Sequence, residues 1–280
     1  MDNLLIVDGN NLLFRMFYGL PAKIYNKSGQ TIHATIGFIS YVLKQIKLYD
    51  ISAALVVFDC DGSAERKEIL PEYKANRVQN WDELPDDEVP FSEEEKILKC
   101  LDYLKIAHMH SENMEADDLI ANVTKNLKSE CNIIISSFDS DFFQLIDDNV
   151  SVLRYKGKNS VLYDKKYFYE KFGFSPENYA LFKSLTGDSS DNIKGVAGIG
   201  PKKAAEYINA YIAEEKQKTI LSACILKAIN ENEDLIKKNL QLIEFKNKSE
   251  FIFDIKSFYF NCEHVKKTNS EVLSACNIFD

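Results

Sequence analysis

Three short apolar runs, Leu4 to Val7, Ala53 to Phe58 and Asn132 to Ser136, are rich in β-branched and aliphatic residues, the mark of strands buried on both faces. Between them, apolar residues recur at helical spacing over Ala34 to Leu48 and Glu93 to Leu104. This alternation predicts an α/β fold with a central, mostly parallel sheet and helices on both faces. A weaker alternation, Val150 to Tyr155 returning through Ser160 to Tyr163, extends the sheet as a hairpin. From Ser175-Pro176 onward the pattern turns helical and lysine-rich, with helices over Glu177 to Thr186 and Lys202 to Tyr211 and two or three more to about Phe245. Beyond Phe251, aromatic-rich strand-like stretches precede a short last helix. The expected division is therefore an α/β core over 1–174 and a helical region over 175–280.

Each of the three strands is followed closely by an aspartate: Asp8, Asp59 and Asp139. In an open parallel sheet the carboxyl ends of the strands border the ligand crevice, so three such acids converge. Further acids stand in Glu115-Ala116-Asp117-Asp118, ahead of an apolar helical run, in Asp139-Ser140-Asp141, and in Gly187-Asp188-Ser189-Ser190-Asp191-Asn192. Together they make nine acids in five short motifs. One aspartate after a strand is ordinarily a turn or helix-cap residue, and acids in a first helical turn complement the helix dipole. Gathered at one place, however, like charges repel unless a cation offsets them. Hard oxygen ligands of this kind suit Mg²⁺ or Mn²⁺. The chemistry that calls for so many is phosphoryl transfer, where a cation lowers the pKa of bound water and stabilises charge on the attacking and leaving oxygens.

Composition changes this picture only in part. The 280 residues are 45% apolar and 28% charged, as in an ordered globular chain. The net charge of −9 argues against a nucleic-acid partner at first sight, but acids that hold divalent cations present a positive site. The first residues carry no basic, cleavable leader, and the apolar runs are far shorter than the ~20 residues of a membrane span. A cytoplasmic protein, monomeric and without membrane contact, is the expectation. The six cysteines form no Cys-x-x-Cys pair and read as reduced. The histidines His33, His108, His110 and His264 lack metal-binding spacing. Region 78–94 is acidic, holds the single tryptophan and two prolines, and reads as an exposed loop.

The ordered set Val7-Asp8-Gly9-Asn10, Phe58-Asp59 with Arg66, Glu72-Tyr73-Lys74-Ala75-Asn76-Arg77, Glu115-Ala116-Asp117-Asp118, Asp139-Ser140-Asp141 and Gly187-Asp188-Ser189-Ser190-Asp191-Asn192-Ile193 resembles bacterial and phage flap endonucleases and the 5′-nuclease domain of DNA polymerase I. The likeness runs to about Tyr207. It implies a divalent-metal-dependent 5′-nuclease with a PIN-like core, an arch over the active site, and a helix-three-turn-helix that binds duplex DNA. By the family's pattern Asp8, Asp59, Glu115, Asp117 and Asp118 serve a first metal, and Asp139, Asp141, Asp188 and Asp191 a second. Lys74 and Arg77 match cations at the scissile phosphate, where fixed positive charge stabilises the transition state. Phe14, Arg15, Arg66 and Tyr73 match positions that stack bases and grip phosphate. In Ile193 to Ala205, glycines Gly198 and Gly200 permit close approach of a backbone, and Pro201, Lys202 and Lys203 begin a helix with positive potential. The resemblance implies K⁺ at that turn. The substrate implied is DNA with a 5′ flap or 5′ end, cut in replication or repair by a stand-alone nuclease.

The chain departs from the family in two places. Trp81-Asp82-Glu83-Leu84-Pro85-Asp86-Asp87-Glu88 is acidic where arches are commonly basic, which should repel a threaded strand. Glu65 replaces an aromatic before Arg66. Two rival readings stand beside this one. Ala54 to Gly62 ends in Asp59-Cys60-Asp61-Gly62, resembling haloacid-dehalogenase-type phosphatases, with Asp59 as nucleophile and Asp61 as general acid. That leaves Asp8, the Glu115 group and the Asp139 pair without a task. A non-catalytic protein that binds branched DNA is the second.

Overall fold

The computed structural model describes residues 1–60, 63–77, 80–212, 221–246 and 251–280. Its sheet holds six strands: β1 (Asp2–Asp8), β2 (Ala53–Phe58), β3 (Ala107–His110), β4 (Cys131–Ser136), β5 (Val150–Arg154) and β6 (Val161–Tyr163), in the order β3-β2-β1-β4-β5-β6. All neighbours are parallel except the β5–β6 pair. Alternate residues face opposite ways. Leu4, Ile6, Leu55, Val57, Ile133 and Ile135 enter one core, and Leu5, Val7, Ala54, Val56 and Phe58 the other. Truncating one of these, such as Ile6→Ala, would cost about 2–5 kcal/mol through lost transfer energy and the cavity left behind.

Helices α1 (Gly9–Gly19), α2 (His33–Leu48) and α4 (Glu94–Leu104) cover the second core's face. The short α3 (Ala64–Ile69) precedes the 72–77 loop. On the opposite face lie α5 (Ala116–Leu127), α6 (Lys165–Phe172), α7 (Tyr179–Thr186), α8 (Pro201–Ile212), α9 (Ala223–Asn230) and α10 (Glu233–Ile243). A small ladder of β7 (Gly187–Asp188) and β8 (Ile193–Lys194) closes the loop between α7 and α8. There Gly187 has φ +81°, and a Cβ on it or on Gly195 would meet backbone atoms at 2.4 and 2.3 Å, so neither tolerates a side chain. Gly9 is equally constrained: its Cβ would lie 2.7 Å from the Phe58 ring. This close approach lets α1 start directly on Asp8.

The hairpin, the three strands and the named helices lie where the hydrophobic pattern puts them. Three features differ. His108-Met109-His110, to which the hydrophobic pattern assigns no element, forms the edge strand β3, and its histidines meet Asp102 (3.0 Å) and Glu94 (2.9 Å) of α4. The chain after Phe251 forms one isolated bridge, Ala53 to Tyr259, in place of strands. From Phe260 through α11 (Asn269–Ala275) it packs against α2 and α4, although its sequence position groups it with the helical region.

The third difference is region 78–94, of which Val78 and Gln79 lie outside the described residues. It is not a free loop. Three short 3₁₀ turns lie on the core, with Trp81 and Phe91 ringing Phe14 at 5.6 and 5.2 Å between centroids. Glu93 is fully buried, accepting from the Ala34 and Thr35 amides and the Thr35 hydroxyl at the start of α2. It also faces His33 Nδ1 at 3.2 Å. The acidic stretch itself stays exposed at Glu83, Asp86 and Glu88, as its composition implies, while Glu93 at its end is buried because it caps the start of α2.

Candidate active site

Asp8 ends β1, Asp59 follows β2, and Ser137 to Asp139 follow β4, the strand on the other side of β1. The chain leaves β1 toward β2 and later crosses back to β4, so the acids flank a topological switch point. Each also does structural work. Asp8 Oδ1 accepts from Asn11 N (3.1 Å) as the cap of α1, and Oδ2 accepts from the Ser137 hydroxyl (2.7 Å). Asp59 Oδ1 accepts from Ala116 N (3.0 Å) at the start of α5 and from Ser111 (3.2 Å).

Helix α5 then presents its first turn to the same place. Asp117 adds its charge to those of Asp139, Asp8 and Glu115. Burial pushes the Asp117 carboxyl well above its ordinary range, and the acids around it push it further against Lys74. Burial likewise raises Asp8 to about 6, helped by Asp139 and Asp59 and opposed by its hydrogen bonds. Asp59 is raised chiefly by burial. Glu115 is buried, with Oε2 held by Lys74 Nζ (2.7 Å), Tyr73 Oη (3.3 Å) and Arg66 (3.4 Å), while its Oε1 is buried without a hydrogen bond. An unpaired buried carboxylate oxygen among raised carboxyls fits a divalent cation, which satisfies both the lone pairs and the repulsion.

The second group is tighter. Asp141, Asp188 and Asp191 can bring ligand atoms within 4.8 Å of one another. Lys183, which no motif marks, lies among them. Its ammonium is 2.8 Å from Asp141 Oδ1 and donates to Asp188 Oδ2. Burial raises Asp141 to about 7, Asp139 adding to it and Lys183 opposing. Asp188 behaves oppositely: burial acts upward, but Lys183 and Ser190 outweigh it and hold the group below its ordinary value. Asp139 touches both groups electrostatically, acting on Asp8, Asp117, Asp141 and Asp191.

The 72–77 loop clasps the 189–192 loop. Lys74 N donates to Asp191 O, Asn192 Nδ2 to Glu72 O, Asn76 Nδ2 to Ser189 O and Arg77 Nε to Ser190 O, at 3.2, 3.0, 3.1 and 3.3 Å. Arg77 also meets Asp191 Oδ1 at 2.5 Å. Lys74 (φ +54°) and Asn192 (φ +61°) are left-handed, a strain of about 1–3 kcal/mol for a residue such as lysine. That strain carries the Lys74 ammonium to the acids.

Three expectations need correction. Asp118 is engaged by Arg66: both its oxygens accept from that guanidinium (2.7 and 2.9 Å), which also lies 3.4 Å from Glu115 Oε2, and Oδ1 also accepts from Lys246 N. Arg66, 4% exposed, donates further to Leu242 O and cannot grip a phosphate from there. Tyr73, 3% exposed, packs with Ile193, Leu242 and Ile243 and has no face for a base. Arg66 thus occupies the Asp118 carboxylate, while Asp117 one residue earlier faces Asp139 and Asp8.

The remaining residues lie at the surface or its edge. Phe14 is engaged by Trp81 and Phe91. Arg15 stacks on Phe138 at 4.2 Å, and Arg154, absent from the motifs, stacks on the same ring at 4.2 Å while donating to Phe138 O. Neither guanidinium has an ion pair among the described residues. Gly198 (φ +80°) and Gly200 face open space, Lys202 is exposed, and Lys203 Nζ donates to Gly198 O (2.8 Å). Glu65 pairs with Lys246, and Asp87 of the acidic segment with Lys23.

Comparison with known proteins gives a consistent picture. Residues 3–173 match the model of the 5′-3′ exonuclease N-terminal resolvase-like domain, and residues 174–266 that of the 5′-3′ exonuclease C-terminal SAM fold. The chain is 34% identical over 215 residues to a 5′-3′ exonuclease of Mycoplasmopsis pulmonis, covering 77% of this chain and 69% of that protein. It is 33% identical over 208 residues to the thermostable DNA polymerase I of Thermus aquaticus, covering 74% of this chain and 24% of the polymerase. The chain thus spans about a quarter of the polymerase's length. Among solved structures, a bacteriophage T5 flap endonuclease in complex with DNA and metal ions superposes with a TM-score of 0.68 at 23% identity, covering 98% of this chain and 99% of that one. The flap endonuclease-1 of Methanococcus jannaschii gives 0.57 at 14% identity, covering 99% and 93%.

Proposed function

The chain belongs to the 5′-3′ exonuclease family, and from that premise we propose that it is a structure-specific 5′-nuclease that hydrolyses phosphodiesters of DNA at 5′ flaps and 5′ ends with the aid of Mg²⁺ or Mn²⁺. The observation that carries the reading is the meeting of Asp8, Asp59, Glu115 and Asp117 at the switch point, with Glu115 Oε1 buried and unpaired. Those four residues would hold one cation. Asp141, Asp188 and Asp191 would hold another, with Asp139 between the groups. Bound divalent cations stabilise charge on the attacking and leaving oxygens and acidify a water.

The chain's own residues do the rest. Lys74 and Arg77 place positive charge beside the acids, where it stabilises the phosphate as negative charge develops. The clasp between their loop and the 189–192 loop fixes that position. Arg15 and Arg154, paired on Phe138 and free of acidic partners among the described residues, are suited to an incoming backbone phosphate. At the 198–203 turn, open space at the glycines, the start of α8, and Lys202 and Lys203 suit the phosphates of the duplex. A K⁺ ion there would share carbonyls with Lys203, whose ammonium already takes Gly198 O. Asp118 and Arg66 have a positioning role in this scheme: they lock α5 to the segment after α10.

Cleavage of end-labelled 5′-flap DNA beside matched single strand, with Mg²⁺, Mn²⁺ or EDTA and with Asp8→Ala, tests the reading. Metal-dependent cutting near the junction, lost in the variant, supports it. Tight binding without cutting would overturn catalysis in favour of the non-catalytic reading. The phosphatase reading rests on Asp61, which lies outside the described residues, and family membership stands against it.

A further inference from the structure

Every acid of the second group already has a cation supplied by the protein. Lys183, on the last turns of α7, is 8% exposed and carries its ammonium between Asp141 Oδ1 (2.8 Å) and Asp188 Oδ2. Arg77 takes Asp191 Oδ1. The first group differs in where its cations sit: Lys74 and Arg66 both lie on Glu115, and none pairs with Asp8, Asp59 or Asp117 among the described residues. The ligand atoms that Lys183 bridges belong to the three acids able to converge within 4.8 Å. An ammonium at that point takes lone pairs that a divalent cation would need and repels it, so the two compete for the group.

We propose that Lys183 is a resident cation of the second acid group, so that a divalent ion enters there only by expelling its ammonium. The two groups then differ in metal affinity by design of the chain: the first binds an ion directly, and the second exchanges one charge for another. Lys183 Nζ also donates to Ser140 Oγ at 3.5 Å. The inference rests on the two-cation reading above and concerns this chain's own side chain.

Two measurements on the full chain without DNA test it. In the first, Mn²⁺ binding is followed by calorimetry for wild type, Lys183→Met, Lys183→Arg and Asp8→Ala. Removing the competing charge in Lys183→Met should tighten the weaker site by about tenfold or more and leave the stronger one unchanged. Lys183→Arg should not tighten it, and Asp8→Ala should lose the stronger site. An unchanged or weakened second site in Lys183→Met overturns the proposal. Absence of any Mn²⁺ binding, in wild type and variant alike, would instead overturn the metal reading. The second measurement needs no variant at Lys183 and so survives a folding defect. An amine-reactive acetylating reagent, read by mass spectrometry, should label Lys183 of the wild type slowly without metal and faster in saturating Mn²⁺. Labelling that Mn²⁺ leaves unchanged or slows overturns the proposal.

Discussion

The two acid groups lie side by side, share Asp139 as a neighbour, and differ in how much of their crowded negative charge the protein's own cations meet. At the strand ends, Asp8 is buried, Asp117 half-buried and Asp59 at the surface, with little positive charge nearby, and their carboxyls are driven upward, Asp8 to about 6. Around Lys183 the charge is met in part from within: Asp188 stays below its ordinary value despite burial, while burial still raises Asp141 to about 7 and moves Asp191 upward. The difference teaches that an acidic motif does not by itself say how strongly a site needs an external cation. The side chains from other elements decide it.

The comparison can be broken most sharply at the first group. Asp117→Ala or Asp8→Ala should lower flap cleavage on the order of 10³-fold with circular dichroism unchanged, since metal charge contributes several kcal/mol to the transition state. Near-normal cleavage by a purified variant would remove the first group from the chemistry. Asp188→Asn should do less, roughly 10²-fold in cleavage, while DNA affinity in Ca²⁺ holds. Equal losses at both groups would erase the contrast.

A pH series sharpens it further. A carboxyl whose pKa is raised in the folded state binds more protons there than when unfolded, so stability falls as pH rises from about 4 through the folded value. For Asp8, with about 6 against 3.8, the effect on metal-free protein is on the order of 3 kcal/mol. Asp8→Asn should therefore raise the Tm of the metal-free protein near pH 8 and leave it nearly unchanged near pH 4. A Tm gain of the same size at both pH values would show that Asp8 is not strained by its charge. The smallest effect expected is at the distant turn: Lys202→Ala should weaken duplex binding only a few-fold and reduce the salt dependence of affinity by about one ion. A loss confined to cleavage would place Lys202 elsewhere in the scheme.

Much of this site was legible in the chain. Asp8 and Asp59 stand out as candidates because a strand end is a local pattern, and a parallel sheet sends all its carboxyl ends the same way. Lys74 and Arg77 are singled out by the motif resemblance alone, and nothing in their spacing gives the left-handed turn that aims Lys74. Lys183 and Arg154 were missed, as each is one basic residue on a lysine-rich helix or a strand edge. A lysine five residues before Asp188, on the face of α7 that holds Phe182 and Leu185 near the core, is the single signal that could have marked the first.

The sequence by itself determined the alternation of strands and helices, the positions of the acids on it, and the glycines that let Gly187 and Gly195 touch, because each depends on periodicity or on backbone sterics within a few residues. Only the tertiary structure decided which acids face one another and which do not. Asp117 and Asp118 are neighbours of like charge at one helix start, but α5 is rotated so that one meets Asp139 and the other Arg66. Glu93, read as part of an exposed segment, is buried because the start of α2 presents free amides to it. Charge pairing and burial are settled between residues far apart in the chain, through contacts that local pattern does not encode.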